Sequence, residues 1–229
     1  NENSDLFIKK FSFWEYLSEE EKAALCKSTV LTQYPRGACV VNGGDDIGIM
    51  IIKSGQMRVY LQSDDGRDIT LYRLFSGDVS ISLAFAMESI TFDISMDAEE
   101  DTEVLLVHPS VFHEISEKNI YVKCFSYQLA VSRFSNIMWA MQQILFMSVD
   151  RRLAIFLNNE VEKNNTVYLK LTHEQIARYM GSAREVVTRM LKYFSQEGIV
   201  ELSRGGLKVI DRKKLCELAG DAYPKSEIV

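Results

Sequence analysis

The chain has 229 residues, of which 47% are hydrophobic and 25% charged, and its formal net charge is −6. This composition indicates a globular protein with room for one large domain or two small ones, and it excludes a disordered or fibrous chain. No stretch approaches the roughly 20 apolar residues of a membrane-spanning helix. The first ten residues also lack a signal peptide's apolar core, so we expect a cytoplasmic protein without membrane contact.

The charge is distributed unevenly along the chain. Residues 1–150 hold 12 Lys/Arg and 22 Asp/Glu, a net charge of −10, whereas residues 151–229 hold 14 and 10, a net charge of +4. This division predicts two modules, of which the C-terminal one faces a polyanion. The four cysteines are far apart and contain no C-x-x-C pair, so we expect unpaired thiols rather than a metal site.

Residues 30–108 read as a series of short strands. The runs ACVVN, IGIMIIKSG, MRVYLQ, DITLYRLF and TEVLLVH are rich in β-branched residues and are separated by Gly and Asp. The segment SDDGRD between two of them is typical of a hairpin. Repeated strands at this spacing favour an antiparallel sandwich or barrel.

A long helix is predicted next, because residues 110–147 lack Gly and Pro109 precedes them. An apolar seam at spacings of 3, 4, 3 and 4 runs along it, formed by Val131, Phe134, Met138, Met141 and Leu145. Ile137 and Ile144 widen this seam. The helix either packs on its own domain or pairs with a second copy, and we favour the second because the apolar surface exceeds one contact face.

The C-terminal third alternates helix and turn and ends in a hairpin. Thr172 with Gln175 three residues later forms a capping-box pattern at the start of one helix. Gly181 then permits a sharp turn, and two alternating strands flank Arg204-Gly205-Gly206. This order of helix, turn, helix and hairpin predicts a winged helix-turn-helix.

The second helix, within GSAREVVTRMLK, has two distinct sides. At 100° per residue, one arc of about 140° holds every charged or hydroxyl side chain after the turn: Arg184, Glu185, Thr188, Arg189 and Lys192. The opposite arc holds Val186, Val187, Met190, Leu191 and Phe194. We expect Val187 and Met190 to pack against Ile176, Ala177 and Met180 of the first helix.

The ionic arc suits the major groove of DNA. Arginine donates two hydrogen bonds to guanine and a carboxylate accepts from cytosine, so Arg184, Glu185, Thr188 and Arg189 are candidates for reading bases. Glu185 and Arg189, one turn apart, are also spaced to form an ion pair. The candidates for phosphate contacts are Thr172, His173, Arg178, Ser182, Lys192 and Arg204. The alternative is an ordinary solvated charged face.

The sequence resembles the superfamily of bacterial transcription factors that contains the cyclic AMP receptor protein and the fumarate-nitrate regulator. The resemblance rests on YPRGACVVNGGD, IIKSGQMRVY, LFSGDVSIS, DAEEDTEVLLVHPSVF and MGSAREVVTRML, which together cover nearly the whole chain. It implies an α+β fold: an N-terminal antiparallel, jelly-roll-like β-roll over 1–115, a long dimerisation helix over 116–148, and a winged helix-turn-helix over 149–229. It further implies a homodimer on a palindromic operator in double-stranded DNA, with RNA polymerase as a partner.

The resemblance implies control by a small effector, and departures from the nucleotide-binding pattern argue that this effector is not cyclic AMP. A regulator that is active without an effector is equally compatible with the sequence. Ungapped placement puts Ser82 where nucleotide-binding members have Glu, and Phe92 with Asp93 where they have the phosphate-binding Arg-Ser pair. A carboxylate at Asp93 would repel the phosphate. Candidate pocket residues are Ser80, Ser82, Asp93 and Asn136, although ordinary turns and a polar interruption of the dimer seam account for them equally well.

Other cofactors and functions fit less well. The cysteine cluster of iron–sulfur members is missing, and His108 and His113 are not spaced for haem. A cupin-like enzyme would need two or three His with a Glu among the strands, and the strand region 30–108 offers only His108, so no enzymatic activity is expected. The alternative function is a cyclic-nucleotide-sensing or protein-interaction module that does not read DNA.

Overall fold

The computed structural model describes residues 11–42, 47–63, 68–81 and 94–220. Residue contacts divide the chain into an N-terminal and a C-terminal unit, and the main boundary falls between Trp139 and Ala140. None of the described helices combines the length and the hydropathy required to cross a membrane.

The N-terminal unit is built on two four-stranded sheets, with strand orders β1-β8-β3-β6 and β2-β7-β4-β5. The described strands are β1 (Thr29–Tyr34), β2 (Cys39–Val41), β3 (Ile49–Ser54), β4 (Gln56–Gln62), β5 (Asp68–Phe75), β6 (Val79–Ile81), β7 (Ile94–Ala98) and β8 (Thr102–Val107). The pairs β1–β8, β8–β3, β3–β6, β2–β7 and β7–β4 are antiparallel, and Ile49 of β3 lies opposite Val107 of β8. The predicted antiparallel strand region is confirmed, and residues 64–67 of the expected hairpin lie outside the described part of the chain.

Alternation along β3 explains how the sheets bury two separate cores. Met50 and Ile52 point into a cluster with Met57, Val59 and other residues of the second sheet, so this cluster fills the interior of the roll. Ile49 and Ile51 point to the opposite face, where helices and aromatic side chains cover the sheet. Side chains of successive strand residues face opposite sides, so one apolar run supplies both cores.

Among the described residues, the α-helices of this unit are α1 (Glu19–Ser28), α2 (Pro109–Lys118) and α3 (Ile120–Phe146). The last turns of α3, after Trp139, belong to the C-terminal unit. The long helix was expected to begin at residue 116, but Asn119 separates α2 from α3. The Asn119 N–H donates to Ile115 at the end of α2, and its side-chain oxygen accepts from Tyr121 N at 3.1 Å. One residue therefore caps both helices.

In the described part of the C-terminal unit, four helices follow the end of α3 and pack against a three-stranded sheet of order β10-β11-β9. Its elements are α4 (Val149–Asn164), β9 (Tyr168–Leu169), α5 (His173–Met180), α6 (Arg184–Gln196), β10 (Val200–Ser203), β11 (Gly206–Val209) and α7 (Arg212–Ala219). Their apolar faces share one core, in which Leu153, Leu191, Phe194 and Leu215 are fully buried. The α+β fold with a C-terminal helix-turn-helix and small wing sheet is confirmed.

Candidate nucleic-acid interface

Both ends of the short helix α5 are fixed by hydrogen bonds. At its start, the Thr172 hydroxyl accepts from Gln175 N at 3.1 Å, and Gln175 Oε1 accepts from Thr172 N at 2.9 Å, which is the predicted capping box. At its end, Gly181 has φ +58°, and Ser182 N donates to Ala177 O at 2.9 Å. The left-handed residue turns the chain toward α6, as the glycine predicted.

Arg152 of α4 closes the C-terminus of α5 from within the core. Its Nη1 donates to Met180 O at 3.0 Å, which satisfies a carbonyl that has no partner inside the helix. Burial lowers the pKa of this guanidinium, and the negative end of the helix dipole lies beside it. This contact is not predictable from the sequence, because an arginine on an amphipathic helix resembles a surface residue.

The inner face of α6 holds the helix against the core. Val187, Leu191 and Phe194 are fully buried, and Met190 is partly buried against the same cluster. On α5, Ile176, Ala177 and Met180 are buried in that cluster too. The predicted packing of the two helices is confirmed.

The outer face of α6 is ionic and uncovered. Arg184, Glu185, Arg189 and Lys192 are exposed, and Thr188 is partly exposed. A shallow groove of about 660 Å³ follows this face, lined by Arg184, Glu185, Thr188, Arg189, Lys192, Tyr193 and Gln196. Sequence reasoning missed the last two, although Gln196 lies on the ionic arc if the 100° rotation is continued by one turn.

Two contacts link the outer face of α6 to α5. His173 Nδ1 lies 3.0 Å from Thr188 Oγ1, and Arg184 Nε lies 3.8 Å from Glu174 Oε2 on two exposed side chains. The expected ion pair between Glu185 and Arg189 does not form in this structure. The loose contact with Glu174 leaves the Arg184 side chain 65% exposed.

The candidate phosphate contacts lie along α5, the turn, α6 and the wing. Arg178, Lys192 and Arg204 are exposed, as is Thr172, whose hydroxyl already serves the capping box. His173 and Ser182 are half-buried. Arg204 stands at the tip of the hairpin between β10 and β11, next to Gly205 at φ +84°.

The apolar seam of α3 is exposed in the single chain. The exposed fractions are 65% for Val131, 41% for Phe134, 47% for Met138, 43% for Met141 and 65% for Leu145. Ile137, expected to widen this seam, is 2% exposed and packs with Ala130 and Leu71 of the roll. The helix thus carries two apolar stripes about 100° apart, and Ile137 belongs to the inner one.

The structure describes two of the four predicted pocket residues. Ser80 is buried on β6, opposite Met50 of β3, and Asn136 is half-buried on α3. Ser82 and Asp93 lie outside the described residues, as does nearly all of the segment used to argue against cyclic AMP. Arg133, the only charged residue between Lys123 and Asp150 in the sequence, was not among these candidates, and it is 3% exposed.

Comparison with known proteins divides the chain in the same way. Residues 31–119 match the model of the cyclic nucleotide-binding domain, and residues 151–218 match that of the Crp-like helix-turn-helix domain. These ranges correspond to the roll and to the C-terminal unit.

Three similar proteins cover most of the chain. A solved structure of a transcriptional regulator assigned to the Crp/Fnr family from Eubacterium rectale is 39% identical, with a TM-score of 0.85, and covers 92% of this chain and 99% of its own. The transcriptional activator protein FnrA of Stutzerimonas stutzeri is 27% identical over 199 residues, which are 82% of this chain and 79% of that protein. The cyclic AMP receptor protein of Thermus thermophilus is 24% identical over 187 residues, which are 81% of this chain and 86% of that protein. The chain belongs to the Crp/Fnr family of DNA-binding transcription regulators, which are not enzymes.

Proposed function

We propose that the chain acts as a homodimer that reads a palindromic operator with the outer face of α6 and responds to a small effector other than cyclic AMP. The observation that carries this proposal is the contrast between the buried side and the exposed side of α6. Val187, Leu191 and Phe194 on its apolar side are fully buried. Arg184, Glu185 and Arg189 are exposed on the other side. A fixed helix with an uncovered ionic face suits insertion into the major groove.

The base-reading roles follow from the side-chain chemistry. Arg184 and Arg189 each present a planar pair of donors that fits O6 and N7 of guanine, and Glu185 accepts from N4 of cytosine. Thr188 supplies a methyl group and a hydroxyl, and its contact with His173 fixes the side chain. Because Glu185 and Arg189 are not paired with each other, both are available to bases.

The phosphate contacts would set affinity and register. Lys192 and Arg204 are exposed cations on α6 and the wing, where they can follow the sugar-phosphate backbone. Arg178 of α5 is exposed as well, and it would exchange its ion pair with Asp68, at 3.4 Å, for a phosphate. Thr172 and Ser182 offer polar groups at the start and end of α5, and His173 lies beside them. The positive charge of the C-terminal third favours this orientation toward DNA.

The homodimer would form along the exposed seam of α3. Five large apolar side chains at heptad spacing are uncovered in the single chain, more than isolated surface residues explain. Pairing with the same stripe of a second copy would bury them as in a coiled coil. The two copies of α6 would then reach successive major grooves, about 34 Å apart.

Control by an effector would act through a population shift. A ligand held between the roll and α3 would favour the DNA-binding arrangement of the dimer only if it bound that arrangement more tightly. Contact with RNA polymerase would convert DNA binding into regulation. The family is one of DNA-binding regulators, which decides against a sensing module that does not read DNA.

Selection of bound sequences from a random duplex pool tests the operator, followed by anisotropy titrations with the selected duplex. Arg184→Ala should weaken binding by about 1–3 kcal/mol and relax preference at one symmetric position. Lys213→Ala removes a cation that is exposed on α7 and has no assigned role, so it should leave preference unchanged. Equal loss by Arg184→Ala on every duplex would refute base reading.

A further inference from the structure

Three arginines of the described chain are buried, and their surroundings differ. Arg58 lies 3.4 Å from the Asp97 carboxylate, and Arg152 bonds the C-terminal carbonyl of α5. A carboxylate or a helix C-terminus offsets a buried positive charge. Arg133, the third, has neither among the residues that the structure describes.

Arg133 points from α3 into the roll and is 3% exposed. One terminal nitrogen donates to the Val79 carbonyl of β6, and the guanidinium carbon lies 5.4 Å from the ring centre of Tyr72. Its Nε is buried without a hydrogen-bond partner. The strand carbonyl and the Tyr72 ring are both neutral, so neither supplies a negative charge that would balance the buried guanidinium.

The neighbouring side chains supply apolar surface and one neutral donor. Leu71 and Ile137 are buried and pack with Ala130 beside Arg133 on α3. Burial raises the pKa of Tyr72 to about 12, although the Arg133 cation opposes this shift. The Tyr72 hydroxyl is therefore neutral at physiological pH and cannot balance the guanidinium.

We infer that Arg133 binds the anionic head of the effector, a small organic molecule with a carboxylate or phosphate group and an apolar remainder. A planar guanidinium grips either group with two parallel hydrogen bonds. The remainder would lie against Leu71 and Ile137, and Tyr72 would contribute the face of its ring or its hydroxyl. This inference rests on the proposed effector control and names its chemical class.

Thermal unfolding of the full chain tests the inference without DNA. The probes are benzoate, phenyl phosphate and neutral benzamide, compared at equal concentration and constant ionic strength. One or both anions should raise the melting temperature by roughly 2–5 °C, and benzamide should not. The anion that raises the melting temperature more identifies the head group as a carboxylate or a phosphate.

Variants separate a ligand site from a structural arginine. Arg133→Met should abolish the response to the anions and, without ligand, melt as high as the wild type or higher, because an uncompensated buried charge is removed. Arg133→Lys should respond less than the wild type, since it lacks the paired donors. Arg36→Met removes an exposed guanidinium from the same unit and should keep the full response.

Three outcomes would overturn the inference: no anion response in the wild type, an equal response to benzamide, or a response that survives in Arg133→Met. If Arg133→Met does not fold, the melting responses of the wild type and of Arg133→Lys to the anions still test the inference. The melting experiment contains no DNA, so a negative result there does not affect the conclusions from the operator titrations. Likewise, a negative result for base reading does not affect the interpretation of the melting temperatures.

Discussion

Helices α3 and α6 are alike in having one buried face and one uncovered face, but the uncovered faces differ in chemistry. On α3 the uncovered seam is apolar, from Val131 to Leu145. On α6 the uncovered face carries Arg184, Glu185, Arg189 and Lys192. Exposure alone indicates that both faces could bind a partner, and the chemistry of their side chains indicates which kind of partner fits.

The two faces should also respond oppositely to salt. Apolar contacts do not depend on counterions, so pairing through α3 should persist or strengthen as salt is added. Contacts of α6 with phosphates release condensed counterions, so DNA binding should weaken steeply. A salt titration of dimerisation beside one of DNA binding therefore tests the comparison directly.

The largest effect is expected from a charge in the middle of the α3 seam. Met138→Glu would place two carboxylates in the dimer interface, and the like charges and lost apolar contact should weaken dimerisation at least ~100-fold. Operator affinity should fall by about 10²–10⁴, because the half-sites are no longer bound together. Sedimentation equilibrium and anisotropy measure the two losses.

Ser132→Glu is the matched control for this substitution. Ser132 is exposed on α3 but points roughly 140° away from the centre of the seam. The Ser132→Glu protein should therefore remain dimeric. A Met138→Glu protein that dimerises like the wild type would show that the seam does not mediate pairing.

A smaller effect is expected from Lys192, the cation on α6 that we propose contacts a phosphate. Lys192→Gln should weaken binding to all duplexes by about 10- to 30-fold at moderate salt, since the dimer loses two contacts. The slope of log K against log salt should become shallower by about 2. An unchanged slope would place Lys192 away from the backbone.

The smallest effects are expected from two substitutions of Thr172, which separate its capping role from its proposed contact with a phosphate. Thr172→Ala should destabilise the protein by about 1 kcal/mol through loss of the cap. Thr172→Asp keeps a capping oxygen and should preserve the melting temperature, yet repulsion from phosphate should weaken DNA binding. If Thr172→Asp binds DNA as tightly as the wild type, residue 172 lies away from the DNA.

The helix-turn-helix was predictable because its determinants are local. Gly181, the Thr172–Gln175 pair and the 100° rotation of α6 each act within a few residues. The resulting turn, cap and buried face agree with the structure. Roles in DNA contact remain predictions, since they depend on a partner.

The α3 seam was predicted less completely, because two apolar stripes lie side by side on one helix. Periodicity cannot tell which stripe faces the chain's own roll, so Ile137 was assigned to the wrong one. The break at Asn119 was missed as well, since its two capping bonds depend on backbone geometry rather than on residue pattern. The burial of Arg133 was not predicted either, because a single charged residue within an apolar run has no periodicity that would show which way it faces.

The double anchoring of α5 has a thermodynamic consequence. Eight residues are too few for a helix to persist alone in water, yet the capping box and Arg152 hold both ends. We therefore expect the helix-turn-helix to be folded before it binds DNA, so that binding is not coupled to the folding of α5. Calorimetry should accordingly record a heat-capacity change that reflects only the surface covered by the duplex.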